Sequence, residues 1–390
     1  MVAAREMLPR DARMLTWAHV GDLHVSHEDD YLGIQRLRVF KEEANRYLAG
    51  AIDFVFLPGD NANNGTPQQY QRIGKVLNDL AVPIHAIPGD HDFEPGNLDA
   101  FQRMPGAAIL PKAVEFDGRR CLFLDVVSAG AGGPDFRLGS EQLRWLEHEL
   151  ARPVPVDRRP TVFMHAYPGD LPDDGDYLAR LFASARVAIV DTGHTHYNEL
   201  LNDGAVIYAS TRSTAQVEEN YGDASFSLAV MDGTVASWRF KPLGSSWPFV
   251  LITSPADHRL MTDVAWHEPM PRGTLVVRAK VFGESIRAVT VSIDSGKPVP
   301  MHAVEGEPAV WSACVPVPAV TGLCAIVVRA QSTDGRVEQD RIDVPLAHSG
   351  VQLVARSDAP PGTDAHVVQP CPEYGVLGSQ LGPNKHGRKW

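Results

Sequence analysis

Short apolar segments in the first half of the chain are each followed by an aspartate or a histidine. The segments are 15–20, 52–57, 84–87, 161–164 and 187–190, and the residues that follow them are Asp22, His24, Asp60, Asp90, His165, His194 and His196. Carboxylate oxygens and imidazole nitrogens are suitable ligands for Zn, Mn, Fe or Co. Seven such side chains are more than one catalytic zinc uses, and they suffice for two ions that share one carboxylate. The pattern therefore predicts a site for two transition-metal ions.

The elements that position these residues alternate between strand and helix. The five segments, and a sixth at 121–124, are short, often rich in Val, Ile or Phe, and bounded by Gly, Pro or Asp, as buried strands are. Between them, apolar stripes predict helices over 31–48, 67–80 and 140–150. This alternation predicts a layered α/β fold. Because ligands of open α/β sheets bind at the carboxyl ends of strands, we expect the seven side chains to converge there.

The pattern changes near 244–248. From there to about 346, no helical stripe is evident and short strands are predicted at 249–253, 274–282, 288–294, 310–317, 323–330 and 337–344. Such spacing is typical of an immunoglobulin-like β-sandwich. Cys314 and Cys324 are too close in sequence to form the disulfide that links the sheets of an antibody domain. We therefore predict an α/β domain over 1–245, an all-β domain over 246–347, and a tail over 348–390 that packs on the first domain or on a second subunit; a disordered tail is the alternative.

Composition excludes several classes of protein. Hydrophobic residues make up 44% of the 390 residues and charged residues 22%, as in a globular protein. The net charge of −12 argues against binding of duplex nucleic acid, which requires a basic surface. No apolar stretch approaches the length of a membrane span, and residues 1–13 lack the features of a signal peptide. With four scattered cysteines, we expect a cytoplasmic protein that does not contact a membrane.

Taken together, the motifs resemble those of the calcineurin-like metallophosphoesterase superfamily. The matching blocks span about 15–240 and read Asp22-x-His24, Gly59-Asp60-x-x-Asn63, Gly89-Asp90-His91-Asp92, His165 and Gly193-His194-Thr195-His196. The last block and the compact length are similar to the class III cyclic-nucleotide phosphodiesterase branch, which also contains glycerophosphodiesterases. The resemblance implies a four-layer α/β/β/α sandwich, with helices on both sides of two mixed sheets.

The resemblance also implies roles for individual residues. Asp22, His24, Asp60 and His196 would hold the first metal, and Asp90, His165 and His194 would complete the second, with Asp60 as the bridge. His91 would face the substrate and either stabilise the phosphoryl charge or protonate the leaving oxygen. Two metal ions would generate the hydroxide that attacks phosphorus. The resemblance does not choose among Mn, Fe and Zn for these ions.

The chain departs from the family pattern at two positions. Asp90 stands where the family has asparagine, so three carboxylates face the four positive charges of two divalent ions. We expect this aspartate to hold metal more strongly, or to favour a trivalent ion. Asn63 replaces a common aspartate, for which we expect a modest effect. Asp92 is predicted to fix the loop that carries Asp90 and His91.

Other polar residues near the motif loops are candidates for substrate binding. They are His27, Asn61, Asn64, Tyr167 and Arg212. Arg212 could pair with a phosphate through two hydrogen bonds. For Arg212 and His27 the alternative is an ordinary surface side chain.

The predicted function is hydrolysis of a phosphodiester in a small substrate, with a phosphomonoester or a phosphonate as the alternative. A metal-binding interaction scaffold without catalysis is an alternative of another class, and nuclease activity is the least favoured. The sequence is also compatible with a homodimer.

Overall fold

The computed structural model describes residues 13–28, 32–196, 198–215, 224–262, 273–317, 323–345 and 366–368. In chain order its strands are β1 (Leu15–His19), β2 (Phe54–Leu57), β3 (Ile84–Ala86), β4 (Lys112–Phe116), β5 (Arg119–Phe123), β6 (Thr161–Phe163), β7 (Ile189–Thr192), β8 (Glu199–Asn202), β9 (Ile207–Ser210), β10 (Ser225–Asp232), β11 (Val235–Pro242), β12 (Phe249–Ser254), β13 (Thr274–Phe282), β14 (Ile286–Ile293), β15 (Val299–Pro300), β16 (His302–Ala303), β17 (Val310–Pro316), β18 (Leu323–Ser332), β19 (Val337–Pro345) and β20 (His366–Val368). The α-helices are α1 (Gly33–Glu43), α2 (Pro67–Leu77), α3 (Ser140–Ala151) and α4 (Gly175–Ser184).

Two mixed sheets form the N-terminal part. The five-stranded sheet has the order β11-β10-β1-β2-β3, with β1, β2 and β3 parallel and β10 antiparallel to β1. The seven-stranded sheet has the order β20-β8-β9-β7-β6-β5-β4, with β5, β6 and β7 parallel. The predicted strand ends therefore belong to two sheets.

A core rich in aromatic side chains lies between the two sheets. Trp17 and Phe54 from the first sheet pack against Phe163 from the second, with ring centroids 5.6 and 5.7 Å away. Because side chains alternate between the two faces of a strand, each sheet has an outer face on which helices can pack. Residues of α1 and α2 pack on the first sheet, and residues of α3 and α4 pack on the second. The predicted four-layer α/β/β/α sandwich is confirmed.

The helices begin and end close to the predicted positions. The helix predicted over 31–48 is α1, which continues into a π-helical turn over Ala44–Leu48. α2 ends at Leu77, three residues before its predicted end. Thr66 starts it with a capping box, in which its hydroxyl accepts from the backbone of Gln69, and Pro67 occupies the first turn.

The C-terminal strands form two antiparallel sheets. Their orders are β12-β13-β17-β16 and β15-β14-β18-β19. Val277, Val291 and Ile326 are fully buried between them, as strict alternation requires. The predicted all-β sandwich is confirmed, and the cysteines within the described residues are free thiols.

Polar contacts join the C-terminal strands to the first sheet. Arg278 in β13 lies 3.4 Å from Asp232 in β10, and Arg239 in β11 lies 2.9 Å from Glu338 in β19. The two parts therefore pack directly on each other.

The domain limits at 245 and 347 stay predictions. Of the predicted tail, 348–390, only β20 lies inside the described residues, where it pairs in parallel with β8. No helix in the described residues is long and apolar enough to cross a membrane.

Candidate metal centre

The seven aspartate and histidine side chains come together where the two sheets face each other. The loops after β1, β2 and β3 carry the first four, Asp22, His24, Asp60 and Asp90, and the loops after β6 and β7 carry His165, His194 and His196. They form two buried groups, and within each group the potential ligand atoms lie within 4.8 Å of one another. The first group is Asp22, His24, Asp60 and His196, and the second is Asp60, Asp90, His165 and His194.

Asp60 is common to both groups. Its Oδ2 lies 3.5 Å from Nε2 of His24, and its Oδ1 lies 3.5 Å from Nε2 of His165. Asp90 Oδ1 lies 3.3 Å from the same nitrogen of His165 and 3.6 Å from Nδ1 of His194. One carboxylate therefore faces each group with a different oxygen, which is the arrangement expected of a bridging ligand.

The backbone at this cluster is strained. Five of the seven residues have a positive φ, namely Asp22 at 27°, His24 at 38°, Asp60 at 48°, His194 at 68° and His196 at 62°. Such values are uncommon for residues with a side chain and concentrate at functional sites. Gly59 and Gly89 permit the close approach of the loops, since a Cβ would lie 2.3 Å from His165 Nδ1 in the first and 2.2 Å from Asp60 Oδ1 in the second.

The donor set fits two divalent cations. Asp22 Oδ2 is buried without a hydrogen-bond partner. Nε2 of His24 lies 3.0 Å from Nε2 of His196, so two ring nitrogens of the same kind face each other. Unpaired buried carboxylates are costly, and cations bound between these oxygens and nitrogens would remove that cost.

The pKa values of the cluster residues also suit a site for cations. Burial raises the pKa of Asp22 above its ordinary value of 3.8, and burial lowers the pKa of His24 well below 6.5. Burial also acts against protonation of His165, yet the Asp60 and Asp90 carboxylates hold the pKa of that imidazole well above its usual range. Asp22 and His165 therefore favour added positive charge, whereas His24 stays neutral, which is the form in which an imidazole binds a metal ion.

His91 lies beside the two groups and belongs to neither. Its backbone N–H donates to Asp60 Oδ1 at 3.0 Å, and its ring lies 4.7 Å from the ring of His24. Nδ1 lies 2.9 Å from the carbonyl oxygen of Asn63 and 3.2 Å from Glu94 Oε1. Although burial opposes it, the Asp60 and Asp90 carboxylates raise the pKa of His91 to about 9. The ring is 31% exposed, so solvent reaches it.

Asp92 holds the loops that present Asp60 and Asp90. Its Oδ2 accepts from the backbone N–H groups of Asn61 and Gly89 at 3.1 and 3.0 Å, and its Oδ1 accepts from Ala62 and from the hydroxyl of Tyr70 at 2.9 and 2.7 Å. These contacts agree with the predicted role of Asp92. Asn63, the other departure, places Oδ1 3.3 Å from Nδ1 of His24.

The predicted substrate-binding residues occupy different environments. Asn61 is buried, and its amide donates to Ile87 O and to Asp92. Asn64 donates to Glu94 Oε2 at 2.8 Å in an exposed position. His27 lies on the surface, 3.5 Å from the hydroxyl of Thr66.

Tyr167 and Arg212 are buried. Tyr167 is 2% exposed and donates its hydroxyl to Glu199 Oε2 at 3.2 Å. Arg212 is 3% exposed, and its backbone N–H donates to Asn198 Oδ1 at 2.9 Å. Arg212 is therefore not a surface side chain of a turn, and its contact with substrate, like those of the other four candidates, stays a prediction.

Two contacts of the site were not expected from the sequence. The ring of Phe136 lies 4.8 Å from the ring of His194 and 5.8 Å from that of His165, and it comes from a Gly-rich loop without any periodic signal. The carbonyl oxygen of Pro58 lies 2.8 Å from Nδ1 of His165. Such a contact directs the other ring nitrogen toward the cluster.

Comparison with known proteins shows what this part of the chain is similar to. Residues 15–198 match the family model of the calcineurin-like phosphoesterases. A protein of Fibrobacter succinogenes, named a probable cyclic nucleotide phosphodiesterase, is 25% identical over 251 residues, which are 58% of this chain and 91% of that protein.

Two other relatives match shorter regions. The 3′,5′-cyclic adenosine monophosphate phosphodiesterase CpdA of Escherichia coli is 31% identical over 32% of this chain and 44% of its own length. The glycerophosphodiester phosphodiesterase GpdQ of Enterobacter lignolyticus is 30% identical over 39% of this chain and 56% of its own length. The chain thus spans about half the length of these two relatives.

The matches confirm the predicted enzyme class, a metal-dependent phosphoester hydrolase. Residues 15–198 therefore contain a calcineurin-like phosphoesterase domain, as the family model describes it.

Proposed function

We propose that the protein hydrolyses a phosphodiester with two transition-metal ions, Mn, Fe or Zn, held by the seven side chains. The observation that carries the proposal is the position of Asp60, whose two oxygens each lie 3.5 Å from a histidine of a different group. Asp22, His24 and His196 would complete one ion's ligands, and Asp90, His165 and His194 the other's. Two bound divalent ions neutralise phosphoryl oxygens and lower the pKa of water.

His91 acts on the leaving group in this proposal. Its Nδ1 faces two acceptors, the Asn63 carbonyl and the Glu94 carboxylate, so that nitrogen carries a proton. When Nε2 is protonated as well, the ring is an imidazolium. The imidazolium can then stabilise the phosphoryl charge or give that proton to the departing alcohol oxygen. Its backbone N–H, bonded to Asp60 Oδ1, keeps it beside the cluster.

A phosphodiester is favoured over a monoester by the relatives. Three of them carry names that refer to cyclic nucleotides or to glycerophosphodiesters, and all three names are those of phosphodiesterases. The number of carboxylates in the site also favours a phosphodiester. Asp90 adds a third carboxylate, which reduces the attraction for a doubly charged monoester more than for a singly charged diester.

We further propose that the protein acts in the cytoplasm on a small substrate. The free thiols of Cys121, Cys314 and Cys324 support a reducing compartment. The net charge of −12 argues against a duplex nucleic acid partner. A homodimer stays a proposal for which solution scattering is the direct measurement.

Metal reconstitution tests the function. Protein stripped with a chelator and reloaded with Mn(II), Fe(II) or Zn(II) should bind two ions per chain by elemental analysis. The loaded protein should cleave bis(4-nitrophenyl) phosphate faster than 4-nitrophenyl phosphate. Asp60→Asn should lose ions from both groups, whereas Asp79→Asn, a change at an exposed aspartate, should retain them.

The other outcomes of this experiment would favour an alternative function or contradict the role of Asp60. Two bound ions without turnover of either ester would favour the interaction scaffold. Faster cleavage of the monoester would favour a phosphomonoesterase. Loss of a single ion in Asp60→Asn would contradict the bridging role of that carboxylate.

A further inference from the structure

The aromatic ring of Phe136 packs directly on two of the predicted metal ligands. Its centroid lies 4.8 Å from that of the His194 ring and 5.8 Å from that of the His165 ring, with angles of 78° and 64° between the planes. Aromatic rings prefer such edge-to-face contacts. All three side chains are buried, and Phe136 is 1% exposed. One apolar ring therefore contacts both histidines of the second group.

Packing against neighbouring rings restricts the orientation of His194. Its Nδ1 lies 3.6 Å from Asp90 Oδ1, so this nitrogen faces the other ligands of the second group. The backbone N–H of His194 donates to Asp22 Oδ1 at 2.9 Å, but this bond does not fix the plane of the imidazole. The rings of Phe136 and His165, 4.8 and 5.4 Å away, restrict that plane. Phe136 therefore helps to keep Nδ1 of His194 directed at Asp90.

The loop between β5 and α3 holds Phe136 in this position. The backbone N–H of Arg137 donates to the carbonyl oxygen of Val126 at 2.8 Å, which closes the loop at its base. The guanidinium of Arg137 donates to Asp135 Oδ1 at 2.9 Å and also pairs with the carboxylate of Asp173, which lies between β6 and α4. The residues on both sides of Phe136 are therefore anchored.

An apolar ring at this position affects a bound cation in two ways. Groups that orient a metal-binding histidine typically contribute about 10- to 100-fold to metal affinity. The apolar surroundings of a metal site also limit solvent access and lower the local dielectric constant, which strengthens the attraction between a cation and a carboxylate such as Asp90. Both effects act on the second group, because the ring of Phe136 packs on its histidines.

We propose that Phe136 is a positioning residue for one of the two metal ions. It acts through His194 and His165, which it keeps oriented toward the ion of the second group and shields from water. The proposal rests on the proposed function, because it requires two bound ions. It goes further by assigning them unequal support, so that removal of the ring weakens binding of the second group's ion and leaves the first group's ion unchanged.

Titration of chelator-stripped protein with Co(II) separates the two ions. The wild type should bind two ions, and Phe136→Ala should bind one of them about 10- to 100-fold more weakly while the other keeps its affinity. Because the visible absorption of Co(II) reports on its ligands, the spectrum of Phe136→Ala at saturating Co(II) should differ from that of the wild type. Phe136→Leu retains most of the apolar volume, so its affinity for the weakened ion should lie between those of Phe136→Ala and the wild type.

A double variant identifies which ion depends on the ring. His194→Ala should lose the ion of the second group. The addition of Phe136→Ala to this variant should leave the affinity for the remaining ion unchanged, because the ring acts through a ligand that is already absent. A further fall in that affinity would show that the ring supports the first group, which contradicts the proposal.

Phe182 in α4 supplies a matched control. It is a fully buried phenylalanine of the same core cluster as Phe136. Its carbonyl oxygen accepts from the backbone N–H of Val187, which precedes β7, whereas His194 follows that strand. Phe182→Ala therefore removes the same buried ring at the opposite end of β7, and it should bind both Co(II) ions as the wild type does.

Several results would overturn the proposal. They are wild-type affinity for both ions in Phe136→Ala, equal weakening of both ions, and the same weakening of one ion by Phe182→Ala. If circular dichroism shows that Phe136→Ala does not fold, wild-type affinity for both ions in Phe136→Leu would overturn it instead. A wild type that binds fewer than two ions would contradict the proposed function itself, and this result is read before any variant is compared.

Discussion

A buried contact between His19 and Asp191 joins the two sheets of the N-terminal part. Nδ1 of His19, in β1, lies 2.6 Å from Oδ1 of Asp191, in β7, and both side chains are fully buried. Trp17 donates its indole N–H to the other carboxylate oxygen at 2.7 Å. Each member of the pair precedes a candidate ligand by three residues, Asp22 in one case and His194 in the other. The contact therefore holds the two halves of the metal centre in register.

Removal of this carboxylate should be costly. Asp191→Ala leaves a buried imidazole and a buried indole N–H without their acceptor, and we expect a loss of about 3–5 kcal/mol in the free energy of unfolding. Urea denaturation followed by tryptophan fluorescence measures it. Arg336→Ala, which removes one partner of an exposed ion pair with Asp334, should leave the urea midpoint unchanged. Equal midpoints for wild type and Asp191→Ala would show that the contact contributes nothing.

Asp90→Asn restores the residue typical of the family and should change metal binding without unfolding the protein. The variant removes one negative charge 3.3 Å from His165, so we expect about a 10- to 100-fold weaker affinity for one of the two ions, comparable to the loss of a group that supports a ligand. Metal titration and elemental analysis measure this, and circular dichroism monitors the fold. Unchanged affinity and unchanged turnover would refute the special role of this aspartate.

His91→Gln should reduce turnover while metal content stays at the wild-type level, because His91 belongs to neither group of ligands. We expect kcat to fall about 10²- to 10⁴-fold for a diester with an alkyl leaving group, the usual range for a general acid. The fall should be much smaller for bis(4-nitrophenyl) phosphate, since nitrophenolate leaves without a proton. An equal fall for both substrates would indicate that His91 stabilises charge and does not donate a proton.

Stability should depend on pH through Glu199. Burial raises the pKa of this carboxyl from 4.5 to about 8, so the folded protein keeps its proton where the unfolded chain has lost it. The stability from this group is fully present below pH 4.5 and declines between pH 4.5 and 8, at up to about 1.4 kcal/mol per pH unit.

Glu199→Gln tests this dependence. The amide does not titrate, so the urea midpoint of the variant should fall less than that of the wild type between pH 5 and pH 8. Glu42→Gln, an exposed change in α1, should follow the wild-type curve. Parallel curves for wild type and Glu199→Gln would mean that Glu199 is ionised in the folded protein.

Several features of the fold follow from local patterns. The segments before Asp22, Asp60 and His165 are short apolar runs that contain a fully buried strand, and the segment before Asp90 contains β3, which is partly buried. The hairpin of β10 and β11 was missed, although its strands flank a two-residue turn, Gly233 and Thr234. Because both faces of these strands are largely buried, they lack a clear alternation between apolar and polar residues.

The sequence alone determined which residues could bind metal, because residue type and position after a strand are local properties. The resemblance to a known family then implied how they divide between two ions. Only the tertiary structure decided that the ligands come from two facing sheets and that His19 meets Asp191 between them. It also decided that Tyr167 and Arg212 are buried. These features depend on how segments more than 100 residues apart in sequence pack together, as the 172 positions between His19 and Asp191 show, and no local pattern encodes that packing.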